Sequence, residues 1–150
     1  MLRPSPKRSG PGSERGQSLL LLPAGFLILL VLGSLVLEAA ALHLHQRQLD
    51  DLADSIASDA SAVGFDIETF RTTGEVEIDA VVANSVLQPA VDISLLDDAT
   101  GSVRVLAGDP PSVEVELAVE HEYIIGRSLL GGVSKTLTAV GTAELVLGGP

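Results

Sequence analysis

The feature that most constrains this chain is an uncharged apolar segment near its N-terminus. Residues 19–37 contain no charged side chain and consist almost entirely of Leu, Val, Ile, Ala, Phe and Gly. This length is close to the ~20 residues that an α-helix needs to cross the hydrocarbon core of a bilayer. Pro23 falls in the first turns, where the loss of a backbone hydrogen bond costs least. The segment therefore predicts a single transmembrane helix.

The charges on the two sides of this segment predict its orientation. Residues 1–18 hold four basic side chains against one acidic side chain, whereas the chain after Leu37 has 5 basic and 19 acidic residues. Because basic residues are retained in the cytoplasm, we expect a cytoplasmic N-terminus and an extracytoplasmic C-terminal domain. Residues 1–16, rich in Pro, Gly and Ser, are predicted to be a disordered basic leader.

The helical pattern continues beyond the apolar segment. Apolar side chains recur at helical spacing between polar ones, which predicts that residues 17–63 form a transmembrane helix continued by an amphipathic one. Gly64 is the expected stop. We expect one stripe of this helix to pack against a sheet: Leu49, Leu52, Ile56 and Val63.

The remaining residues, 64–150, predict a small extracytoplasmic α+β domain. The order Thr72-Thr73-Gly74-Glu75 has the spacing of a capping box, which predicts a short helix before Pro89. From residue 91 the apolar period becomes two, with a hairpin over 91–105 and strands over 113–123 and 136–147. The expected fold class is α+β: a long N-terminal helix packed on a small antiparallel meander of four strands, pilin-like in shape.

Nothing in the sequence predicts catalysis. The chain has no cysteine and three histidines, and it contains no nucleophile elbow, phosphate-binding loop or zinc-binding helix motif. We therefore expect no enzyme activity, no catalytic residue, no cofactor, no metal ligand and no small-molecule substrate. The net charge of −11 also disfavours nucleic acid as a partner, because both would carry the same sign of charge.

Four polar features each allow a functional and a structural interpretation. His43 and His45 lie two residues apart, which suits polar residues at a membrane interface better than a helical metal pair. His121 is predicted on an apolar strand face as a hydrogen-bonded core imidazole. The acidic row on the same strand suits a solvated face, with cation binding as the alternative: Glu114, Glu116, Glu120 and Glu122. Glu38, at the end of the span, either reaches toward water or forms an ion pair with a neighbouring subunit.

A set of short elements in a fixed order resembles a known family. They are Arg15-Gly16-Gln17, Leu22-Pro23, Glu38, Arg47-Gln48-Leu49, Ala53-Asp54 and Ala57. Over residues 15–63 this order is similar to the TadE/TadG-like family of minor pilins and pseudopilins from the Flp, or tight-adherence, pilus system.

The resemblance implies a site and a function. A prepilin peptidase would cut after Gly16 and leave Gln17 as the new N-terminus. The fifth mature position is Leu21, where pilin-type substrates usually have glutamate; TadG-like members often lack this glutamate, so the resemblance leaves open whether the chain is cleaved. The implied function is a non-enzymatic structural or assembly component of a type IV-like pilus or secretion apparatus, acting in secretion or cell adhesion. Its partners would be the membrane, other pilin-like subunits and the pilus assembly machinery.

An alternative interpretation stays open from the sequence. The apolar segment is a simple anchor or a signal peptide, with Ala39-Ala40-Ala41 as a small-residue cleavage site before Leu42. The remainder would then be a secreted or membrane-tethered small binding domain.

Overall fold

A computed structural model describes residues 14–94, 96, 98–123 and 132–145, with side chains from Leu21 onward. Four helices precede three strands in the described chain: α1 (Glu14–Val63), α2 (Ile67–Thr73), α3 (Ala80–Ser85), α4 (Leu87–Ile93), β1 (Thr100–Leu106), β2 (Ser112–Glu122) and β3 (Ser134–Glu144). This order confirms the predicted α+β class, in which an N-terminal helix packs on an antiparallel meander. The chain divides into two compact units, and the second unit begins at Glu38 and contains the sheet.

The sheet is built from alternating side chains. The strands are ordered β1-β2-β3, and both neighbouring pairs are antiparallel. Along β2 the inward positions are buried, namely Val113, Val115, Leu117, Val119 and His121. The outward positions are mostly glutamates, so one face of the sheet contacts the core and the other contacts solvent.

The second part of α1 supplies the helical half of the core. Its buried positions are Leu49, Ala53, Ile56, Ala57 and Ala60, which form one face at helical spacing. The alanines keep this face flat, so the helix axis can come close to the sheet.

The close approach is visible at one point of β3. A Cβ atom on Gly141 would lie against the carbonyl group of Ala53 and 2.5 Å from the backbone nitrogen of Asp54. Gln46 reinforces the contact, because its Nε2 donates a hydrogen bond to the backbone oxygen of Thr138 at 2.9 Å. Helix and sheet therefore meet backbone to backbone at this position.

The helix ends where the sequence predicts. The Gly64 backbone nitrogen donates to the Ala60 oxygen at 2.9 Å, and a Cβ on Gly64 would lie 2.8 Å from Ile78 Cγ2. Only a residue without a side chain fits between the end of the helix and Ile78. The predicted stop at Gly64 is confirmed.

The predicted capping box is wrong. Residues 72–75 close a helix instead of opening one, since Gly74 takes the left-handed conformation (φ 77°) and donates to the Phe70 oxygen as the C-cap of α2. The N-caps are Asp66 for α2 and Asp79 for α3. Aspartates fit the N-cap position because their oxygens accept the free backbone N–H groups of the first turn.

The predicted hairpin over residues 91–105 is also wrong. Residues 91–93 belong to α4, and β1 pairs with β2 instead. Pro89 stands at the third position of α4, in the first turn, where no intrahelical donor is required. Leu95 and Asp97 of that prediction lie outside the described residues, as do Gly126 and Gly131 of the predicted loop before β3. The described part of the chain thus contains three of the four expected strands.

Candidate functional site

The most extensive exposed apolar surface of the described chain lies on the first part of α1. The large hydrophobic side chains from Leu21 to Leu37 are between 50% and 78% exposed. This helix is long and apolar enough to cross a membrane, judged by length and composition. In water such a surface would be strongly unfavourable, because about 1.5–3 kcal/mol is gained for each large apolar side chain that becomes fully buried. It needs an apolar environment that the described residues do not supply.

The predicted peptidase junction precedes this surface. Gly16 and Gln17 belong to α1, and their surroundings lie outside the described part of the chain. The cleavage inferred from the resemblance therefore stays a prediction.

The predicted packing stripe is mostly present, with one correction. Leu49 and Ile56 are fully buried, and Leu52 packs against the core while partly exposed. Val63 is 57% exposed and does not belong to the buried face. It stands on the last turn of α1, beyond the buried Ala60.

Glu38 opens the second unit and is half-buried. Its charge acts within the chain, since it favours the protonated form of His121. The two roles predicted for it, reaching toward water and pairing with a neighbouring subunit, stay predictions.

Two histidines meet between α1 and β2. Nδ1 of His45 lies 2.8 Å from Nδ1 of His121, and the two rings are edge to face with centroids 4.7 Å apart. His121 is only 9% exposed, which confirms its predicted place on the apolar strand face. The His121 ring also contacts the Tyr123 ring, with centroids 5.8 Å apart and the ring planes nearly perpendicular.

The sequence does not predict this histidine pair. It favours His45 as a polar residue at a membrane interface, but in the structure His45 is half-buried against His121. One signal was available: His45 precedes Leu49 by four residues and so extends the buried stripe by one turn. His43, two residues away, is exposed on a different face of the helix.

The environment of His121 disfavours its protonation. Burial lowers the pKa of His121 below its ordinary value of 6.5, the nearby His45 lowers it further, and the Glu38 carboxylate acts in the opposite direction. Burial dominates because an imidazolium loses hydration when it is covered by apolar side chains.

The acidic row lies on the solvent face of the sheet. Arg104 on β1 stands 3.7 Å from Glu114 and 3.7 Å from Glu116, so it offsets charge at two of the four predicted positions. Among the residues that the structure describes, no group of three or more His, Asp or Glu side chains is arranged to hold a metal ion.

Comparison with known proteins adds no assignment to this geometry. No family model matches the sequence, and neither the curated proteins nor the solved structures searched contain a match.

Proposed function

We propose that this protein is a single-pass membrane protein that serves as a non-enzymatic structural or assembly component of a Flp/Tad-type pilus or a related secretion apparatus. The observation that carries the proposal is the exposed apolar part of α1, directly followed along the same helix by a face that packs on a small sheet. The order of short elements that resembles the TadE/TadG-like family supports the same assignment.

The physical argument concerns what can cover residues 21–37. In a bilayer, an α-helix satisfies its own backbone hydrogen bonds, and lipid covers its apolar side chains. Outside a bilayer, the same side chains need other apolar helices, which is the environment inside a pilus-like assembly. One segment can thus act as a membrane anchor before assembly and as a packing surface after it.

The second unit supplies a rigid body attached to that segment. Ala53 and Gly141 hold the helix against the sheet at backbone contact distance, so the sheet cannot slide along the helix without a steric clash. This contact lies within the second unit and fixes the second part of α1 on the sheet. The proposed orientation has the N-terminus in the cytoplasm and the sheet domain outside, following the charge asymmetry.

Site-specific photo-crosslinking in native membranes tests this proposal. A photoreactive residue is placed in turn at Phe26, Leu29 and Leu32, and a matched probe is placed at Asp59, which is exposed on the second part of α1. We expect adducts with a second copy or with another single-span subunit at one or more of the three apolar positions, and none at Asp59. Adducts with lipid alone at all three positions would refute an assembly role.

A secreted or tethered binding domain is the second candidate. It is favoured by isolated apolar exposure on the second unit, where Val81 is 80% exposed and Ile93 is 83% exposed. Under this reading, replacing Val81 and Ile93 with serine would abolish partner capture, while substitutions among residues 21–37 that preserve hydrophobicity would have no effect. The pilus-component proposal expects the opposite result: substitutions among residues 21–37 weaken the interaction with the partner, and those at Val81 and Ile93 have no effect.

A further inference from the structure

The contact between His45 and His121 constrains the protonation state of both rings. The two Nδ1 atoms are 2.8 Å apart, which leaves room for one proton between them. One ring must therefore donate from Nδ1 while the other accepts with a bare Nδ1. Two neutral rings satisfy this condition, and so does a pair carrying a single positive charge. Two imidazolium rings do not, because both Nδ1 atoms would then carry a proton.

The pair joins parts of the chain that are distant in sequence. His45 belongs to α1 and His121 to β2, 76 residues later, and His121 is 9% exposed within the core face of the sheet. A change at this contact therefore acts on the packing of the helix against the sheet. The same packing holds Ala53 against Gly141 two turns farther along α1.

The charged and titratable groups around the pair come from three described elements. Glu38 on α1 is the acidic group that acts on His121. Tyr123, just after β2, contributes a neutral ring. Lys135 on β3 is the direct cross-strand partner of His121 and so projects from the same face, although its own side chain is exposed. Of these groups, the Glu38 carboxylate favours a proton on His121, against the larger effects of burial and of His45.

We infer that His45 and His121 form a pH-sensitive latch, which holds the second part of α1 on the sheet at neutral pH and releases it when both rings become positively charged. Release requires separation of the two rings, since neither can then accept from the other. This inference concerns the second unit alone and does not depend on the proposed pilus function.

The sign of the pH effect follows from linkage. The pKa of His121 is lowered in the folded protein, so the unfolded or opened chain binds the proton more tightly. The stability that the contact contributes is complete above the ordinary value of 6.5 and is lost as the pH falls through the lowered folded pKa. Acidification therefore opens the contact, and alkalinisation does not.

Hydrogen exchange of the full-length protein in detergent micelles, measured by mass spectrometry with EDTA present, tests the latch. After correction for intrinsic exchange rates, the amide protection of residues 45–60 should fall between pH 7.5 and pH 5. Each unit by which the pKa of His121 in the folded protein lies below 6.5 corresponds to about a tenfold loss of protection. His121→Leu should abolish this pH dependence. The matched control His43→Gln, at an exposed histidine two residues away, should leave it unchanged.

A second measurement keeps the inference falsifiable if His121→Leu fails to fold. The chain has only three histidines, so their ring resonances can be followed individually by NMR. In the wild type the pKa of His121 should lie below 6.5, and His45→Gln should raise it, because the nearby His45 lowers the pKa of His121. A pKa of His121 that does not change in His45→Gln, or protection that does not change with pH, would overturn the latch. So would a pH response that appears only when metal ions replace the EDTA.

Discussion

Replacing Gly141 with alanine tests the helix-to-sheet contact at its tightest point. The added Cβ would meet the carbonyl group of Ala53 and lie 2.5 Å from the backbone nitrogen of Asp54. All of these are backbone atoms of α1, so no side-chain rotation can relieve the clash. Ordinary contact between heavy atoms lies at about 3.5–4.0 Å, and α1 would have to move away from the sheet by about 1 Å.

The expected loss of stability follows from this displacement. Overpacking a filled core costs typically about 1–3 kcal/mol. A gap of 0.5–1 Å also forfeits roughly a quarter to a half of the dispersion energy of the neighbouring contacts. We therefore expect Gly141→Ala to lower the free energy of unfolding by about 3 kcal/mol, out of the roughly 5–15 kcal/mol available to a domain of this size.

Urea unfolding in detergent micelles, followed by circular dichroism in the β-sheet region, measures the effect. With an m-value of about 1.5 kcal/mol/M, the midpoint should fall by about 2 M. Thr142→Ala, at the exposed neighbouring position, is the matched control and should leave the midpoint nearly unchanged. Ala53→Gly should not rescue Gly141→Ala, because the colliding atoms belong to the backbone.

The opposite sign would refute the reasoning. Where a glycine has room and ordinary backbone angles, replacing it with alanine stabilises a protein by about 0.4–1 kcal/mol, because the unfolded chain loses freedom. A midpoint that stayed constant or rose in Gly141→Ala would therefore mean that helix and sheet do not meet at backbone distance.

Three further predictions follow from the fold. Ile56→Ala should lower the free energy of unfolding by about 2–5 kcal/mol, because it leaves a cavity in the core, whereas Val63→Ala at the exposed end of α1 should cost little; equal urea midpoints for the two variants would contradict the burial pattern. Asp66→Ala should speed amide exchange throughout α2, and unchanged exchange in the variant would show that α2 does not need its cap. In the wild type, the backbone hydrogen bond from Thr69 lowers the pKa of Asp66, so the stabilisation by the cap is complete above pH 3.8, the ordinary pKa, and is lost as the pH falls through the lowered pKa. Protease added outside spheroplasts should digest residues 64–150 and spare an N-terminal tag, and digestion of the tag would reverse the proposed orientation.

The elements with a strong local period were predictable from sequence. The buried stripe of α1 and the alternation along β2 each arise from side chains that repeat at the period of their own backbone. The stop of α1 was predictable from a different signal, the glycine at position 64. The predicted stripe wrongly included Val63, because periodicity does not reveal which turns of a helix are covered by the rest of the fold.

The failures involve signals that are ambiguous when read locally. Alternation over 91–95 predicted a strand, but a run of so few residues also fits one face of a short helix, and α4 continues directly from α3. Thr72 and Glu75 have capping-box spacing, yet Asp66 is already the N-cap of α2 in front of Ile67, so Gly74 serves as the end of that helix. Capping chemistry identified a helix boundary here but not its direction.

The features specific to tertiary structure were not accessible from one sequence. The approach of Gly141 to Ala53 and the contact of His45 with His121 join residues from opposite ends of the second unit. One residue of each contact carries a sequence signal. Gly141 lies on the strand face that has the smaller side chains, and His45 is in register with the buried stripe of α1. What the sequence lacked was the register between helix and sheet.

The central claim is that residues 21–37 remain part of the working protein as its anchor and packing surface. Intact mass spectrometry of the protein extracted from its native membrane tests this claim most directly. The account predicts a chain that begins at Gln17 if the junction is cut, or at Met1 if it is not, and both retain the apolar segment. A chain that begins at Leu42 would contradict it, because the segment would then be a removed signal peptide and the protein a secreted domain.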